Sequence, residues 1–163
     1  METTEPVVAP PAEVDDTIAV LYSADRQEVR SKLYSLESKL LQFPQRELPL
    51  EHLFAHGVYA RQMFIPKGTL LTGKIHKFSH INVVLKGDIS VATESGVQRI
   101  KAPAIFVAEP GTKRAGFAHE DTIFINFHGT FETDVEKLED ELVTNDYQAY
   151  LEHEAKVLAL KES

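Results

Sequence analysis

Between Ser23 and Pro44 the apolar residues Val29, Leu33, Leu36 and Leu40 recur at spacings of four, three and four. That rhythm lines one face of a 3.6-residue helix. The spacing predicts a helix over 23–42, with Ser23 as N-cap after Tyr22 and Pro44 ending it. Such a helix packs a core or a dimer contact. From about residue 55 to 128 the pattern changes to strand formers punctuated by Gly or Pro every several residues. Short strands follow at 57–65, 69–76, 80–86, 88–93, 97–100, 104–108 and 121–128, as in a sandwich or barrel. Glu94-Ser95-Gly96 and Gly87-Asp88 read as tight turns. From 133 the chain turns helical again. Thr133 with Glu136 has the pattern of a capping box, and Val135, Leu138 and Leu142 share a face. Tyr147, Tyr150, Leu151 and Leu158 follow at helical spacing and read as core against the β-domain.

The start of the chain is polar and acidic, with Pro6, Pro10 and Pro11 and little to bury. The organisation is therefore a disordered segment 1–20, a helical extension 21–51, a β-barrel 52–130 and a helical segment 131–163. The 163 residues contain no cysteine, which excludes disulfides, thiolate metal sites and cysteine nucleophiles. No apolar run is long enough for a membrane span, and the start lacks the stretches of a signal peptide. The expectation is a soluble, cytoplasmic protein.

Net charge is −8, unevenly spread. Residues 1–16 hold five acids and no base, and residues 131–163 hold ten acids and three bases. The middle is basic. An acidic total argues against nucleic-acid binding, which needs a dense basic face. A basic middle suits a small anionic ligand. Phosphate-binding glycine loops, dinucleotide fingerprints and the Gly-x-Ser-x-Gly elbow are absent from the sequence.

Among seven histidines, His76 and His80 stand out. In one continuous strand their Cα atoms would lie roughly 13 Å apart at ~3.3 Å per residue, too far to share a metal. Sharing one requires a turn at Lys77-Phe78-Ser79 that folds His80 back beside His76. Strand faces alternate, so Tyr59 with Arg61, Lys74 with His76, and Phe124 with Asn126 and His128 each point one way. Facing inward, they make a basic pocket, whose polar groups must be paired, wetted or bound to a ligand. The opposite parity puts them on the solvent face, and the 57–65 strand, with polar and apolar residues on both faces, does not decide between the two. His52 and His56 read as surface or turn residues, His119 as a turn residue and His153 as a solvated helix position.

The run from Gly68 to Gly87 resembles the first motif of the cupin family: glycine, then His-x-His, a glutamate, six residues and a glycine. Counting back from Gly87 puts His80 at the glutamate, His76 at the second histidine and Lys74 at the first. The stretch from Pro103 to Asn126 resembles the second motif, with Gly111 at its glycine, Arg114 at its histidine and Pro110 one residue out of register. Segments 99–103, 110–116 and 120–130 also resemble small uncharacterised cupin proteins of bacteriophages. The resemblance implies a mainly β, cupin-type jelly-roll barrel, commonly a homodimer, with the N-terminal helix and C-terminal helices packed on it.

Metal-binding cupins supply three histidines and a glutamate; here two of those positions are cations, which cannot ligate and which repel a divalent ion. A metal-free pocket binding a nucleotide, sugar phosphate or carboxylate is the first expectation, with ligand-binding residues Tyr59, Arg61, Lys74, His76, His80, Arg114, Phe124 and His128. Arg114 would grip the anion bidentately. A phage origin would make it an accessory or sequestering protein in the host cytoplasm. The alternatives are an enzyme and an assembly protein with a vestigial pocket. The enzyme is either epimerase-like, with His76 or His80 as general base, or dependent on a divalent transition metal at His76 and His80, joined by His128 if it reaches in.

Overall fold

The computed structural model of the chain describes residues 7–8 and 26–163. Two five-stranded antiparallel sheets face each other. One runs in the order β1 (Val7–Val8), β4 (Leu70–Gly73), β10 (Arg114–Ala118), β7 (Asp88–Thr93) and β8 (Gly96–Lys101). The other runs β2 (Leu50–Ala55), β3 (Val58–Ile65), β11 (Thr122–Gly129), β6 (His80–Lys86) and β9 (Ala104–Ala108). A short pair, β5 (Ile75–His76) with β12 (Val143–Thr144), ties the end of the barrel to the C-terminal segment. The helices are α1 (Arg26–Leu40), α2 (Val135–Leu142) and α3 (Tyr147–Glu162). The chain passes repeatedly from one sheet to the other, which is jelly-roll topology.

Met63, Ile65, Leu71, Val84, Ile89 and Ala118 fill the space between the sheets. The predicted stripe Val29, Leu33, Leu36 and Leu40 packs on Leu70, Ala92 and Ala115, covering the outside of the first sheet. The outside of the second sheet leaves Leu53, Ile81, Leu85, Ile105 and Val107 exposed. Gly87 turns β6 into β7 with φ at 99°, and a Cβ there would lie 2.4 Å from the Thr122 hydroxyl. Only glycine meets both conditions.

Several expectations change. The strand read as 69–76 breaks at Lys74, because β4 and β5 belong to different sheets. Leu50–Ala55 is a strand on the barrel edge, where the sequence suggested a helical extension to 51. Val7–Val8, inside the segment expected to be disordered, pairs with Leu70 and Leu71. The N-cap read at Ser23 lies outside the described residues. In α3 Tyr150 is buried and Tyr147 half-buried, as expected, but Leu151 and Leu158 are exposed and are not the core residues their spacing suggested. Among the described residues, no helix is long and apolar enough to cross a membrane.

The cap of α2 moves by one residue. Asp134, in extended conformation, accepts from the backbone N–H groups of Glu136 and Lys137, while the Thr133 N–H donates to Glu132 Oε1. Asp134→Ala is expected to cost about 1 kcal/mol in urea unfolding, as for an ordinary N-cap. Thr133→Ala should change little; the reverse order would reassign the cap.

One polar cluster runs through the packing. Lys113 is fully buried and its Nζ donates to Glu37 Oε2 at 2.5 Å and to Asn145 Oδ1 at 2.6 Å. The Asn145 amide donates to Glu37 Oε1 at 2.7 Å and the Thr72 hydroxyl to Glu37 Oε2 at 2.8 Å. The cluster joins α1, β4, the approach to β10 and the loop before α3.

Candidate metal and anion site

The break at Lys74 and the bend at Lys77-Phe78 fold the chain back on itself, as the His76–His80 pair required. The Lys77 N–H donates to the Leu142 carbonyl at 2.8 Å, and Val143 pairs with His76, so the C-terminal segment holds the bend. The rings of His76 and His80 stack with centroids 4.0 Å apart. His128, on β11 beside β6, joins them at 5.1 Å from His76 and 4.7 Å from His80. One nitrogen from each ring lies within 4.8 Å of the other two.

Each ring is held neutral. Burial drives His76 well below the ordinary imidazole range, helped by His80, His128, Arg114 and Arg61. Burial likewise pushes His80 to about 4, against the Phe78 carbonyl and the Asn82 side chain, which favour its charged form. His128 falls to about 4 through burial, then His80 and Arg61. His80 Nδ1 lies 3.2 Å from the Phe78 carbonyl, so a neutral ring donates there and turns its Nε2 lone pair inward. That Nε2 and His76 Nδ1 are buried with no partner in hydrogen-bonding geometry. A carbonyl that fixes the tautomer and leaves the other nitrogen bare is the usual support of a metal-bound histidine. The residues fit a first-row divalent ion that favours imidazole, such as zinc, copper, iron or nickel.

Arg61, Lys74, His76 and Asn126 form a wall between two cavities. The inner one, about 80 Å³, also meets Met63, Phe124 and Arg114. The other, about 50 Å³, lies under α2 against Tyr59, His128, Leu138 and Glu139. Thus all eight residues read from the sequence stand near the barrel interior, with altered roles for some. Lys74 is not a free point charge, because its Nζ is ion-paired with Glu139 Oε1 of α2. Tyr59 is held by His52 Nδ1 at 2.7 Å, which corrects the reading of His52 as a surface or turn residue. The Arg114 guanidinium has no hydrogen-bond or ion-pair partner among the described residues, and burial lowers its pKa, opposed by Glu94.

Asn82 and Glu139 were missed. Asn82 is buried and accepts from the Asn126 amide at 2.6 Å; its parity with His80 was the available signal. Glu139 meets Lys74 across 65 residues, which no local pattern announces. The remaining histidines stay apart: His56 lies edge-on to Phe131, and His119, in a bend, meets the Ser90 hydroxyl. His153 packs on Phe78 and is only partly solvated.

The strand order and the histidine-lined interior define a cupin-type jelly-roll barrel, mainly β, with flanking helices. No family model matches the sequence, and no curated protein matches it. Solved structures similar to the chain include KdgF from Halomonas sp., at 18% identity and TM-score 0.47 over 56% of this chain and 87% of that one. The cupin domain of Cnp3 from Schizosaccharomyces pombe matches at 19% and 0.45 over 60% and 72%. An acetylacetone dioxygenase from Acinetobacter johnsonii matches at 16% and 0.45 over 53% and 65%.

Proposed function

We propose that the barrel binds a divalent transition metal through His76, His80 and His128 and a small anion through Arg114 in the cavity beside it. The carrying observation is the pair of bare, buried nitrogens, His76 Nδ1 and His80 Nε2, within a cluster of neutral rings. Burying a polar atom without a partner costs free energy, and a metal ion removes that cost. His128 supplies the third ligand that the motif positions, occupied by Lys74 and Arg114, do not.

The inner cavity also limits the anion. A water needs roughly 10–15 Å³ of such space, so about 80 Å³ takes a handful of heavy atoms. That favours a carboxylate or a phosphate-sized head over a nucleotide. Arg114 and Arg61 oppose a bare divalent ion at short range, and an anion between them and the metal offsets this repulsion. A bound metal would supply a Lewis acid for an oxygen of that ligand.

Chelator-stripped protein titrated with Zn²⁺ in a calorimeter is expected to take up one ion per chain. His80→Ala and His128→Ala should each weaken binding by about 100-fold or more, since a three-ligand site loses a third of its donors. His153→Ala should bind normally. Unchanged affinity in His128→Ala would remove the three-histidine reading.

A further inference from the structure

β8 and β9 follow each other in the chain yet end up as outer strands of opposite sheets, with no ladder between them. The barrel is therefore open along that seam. A cavity of about 400 Å³ occupies the gap, lined by Val91 and Thr93 from β7, Gln98 and Ile100 from β8, and Phe106 from β9, with Arg114 beside Thr93. Val91 and Arg114 also line the inner cavity, so these two side chains stand between the two spaces. Opposite, α2 lies over the histidines, fastened by the Lys74–Glu139 ion pair and the β5–β12 ladder. Only about 50 Å³ remains beneath it.

We propose that the seam between β8 and β9 is a second subsite and the way in for the ligand, which is a monocarboxylic acid with a neutral body larger than its head. This rests on Arg114 being the anion anchor proposed above. The planar guanidinium fork matches a carboxylate. The body lies outward along Val91, Ile100 and Phe106, with Thr93 and Gln98 as hydrogen-bonding neighbours. Glu109, also on this lining, repels a second anionic group there, and the apolar Val91, Ile100 and Phe106 favour a neutral body.

The test follows backbone amides and the Arg114 Nε–H of the full ¹⁵N-labelled chain by NMR, with acetate and hexanoate as probes. Acetate is expected to shift Arg114 and spare Gly96, Gln98 and Thr112. Hexanoate should shift all four and bind at least about tenfold tighter, because its four extra methylenes leave water. Gln98→Trp, at an exposed position on the seam, should erase the hexanoate gain and leave acetate unaffected. If hexanoate instead shifts α2, or binds no better than acetate, the seam subsite is wrong while Arg114 remains the anchor. If neither acid moves Arg114, the anion reading itself falls, and the seam with it.

Discussion

Acidifying the metal-free protein from pH 7 to pH 5 is expected to remove on the order of 4 kcal/mol of stability. His80 and His128 titrate near 6.5 when unfolded and near 4 when folded. Between those values the unfolded chain binds more protons than the native one, so stability rises with pH and falls on acidification. Each group contributes about 1.4 kcal/mol per pH unit, or about 2 kcal/mol over the window from 6.5 to 5. His76, displaced in the same direction, adds to the loss. The stabilisation is fully present above pH 6.5 and disappears as the pH falls through 4. Denaturant midpoints at pH 7, 6 and 5 measure it, and His128→Phe should flatten the slope. A midpoint that does not move over this range would mean that the rings are not buried neutral.

Glu37→Ala is expected to cost about 3–5 kcal/mol, because it removes the carboxylate that pairs with the fully buried Lys113 ammonium. Burial alone would raise the Glu37 carboxyl, but hydrogen bonds from Asn145 and Lys113, with the Lys113 charge and Thr72, hold it below its ordinary range. The loss combines an uncompensated charge with a broken tie between α1 and the loop before α3. Replacing both partners, Glu37→Leu with Lys113→Met, should recover much of it, since two matched apolar groups avoid the desolvation that the ions require. Equilibrium urea unfolding of the three variants decides the matter. A loss below about 1 kcal/mol in Glu37→Ala would show that Lys113 finds water or another partner.

Parts of the structure governed by local rules could be read from the residues. The apolar stripe from Val29 to Leu40 is a helical face because its period is helical, and strand parity placed Phe124, Asn126 and His128 together. The demand for a bend at Lys77-Phe78-Ser79 followed from chain geometry alone. Lys74 and His76 line the same two cavities, as their parity indicated, although the chain changes sheet between β4 and β5. Leu50–Ala55 shows no clean alternation, since as an outer strand it exposes Leu53 and Phe54. The ties from Lys113 to Glu37 and from Lys74 to Glu139 span 76 and 65 residues, so they exist only once the fold has formed. That is why Lys74 read as a ligand-binding charge, and why the basic pocket seemed stronger than it is.

The β5–β12 ladder carries a consequence for synthesis. A ribosome delivers the chain from its N-terminus, so His76, His80 and His128 all emerge before Val143 and Thr144. Once Gly129 has left the exit tunnel, β6 and β11, which bear His80 and His128, are complete, while β12, the ladder partner of the strand that bears His76, is still being made. At that point His128 lacks the cover that α2 gives it in the folded chain. On the reading proposed above, closing the ladder would sequester an ion bound there. On the same reading, the identity of the bound metal would reflect the ions available during translation as well as equilibrium preference.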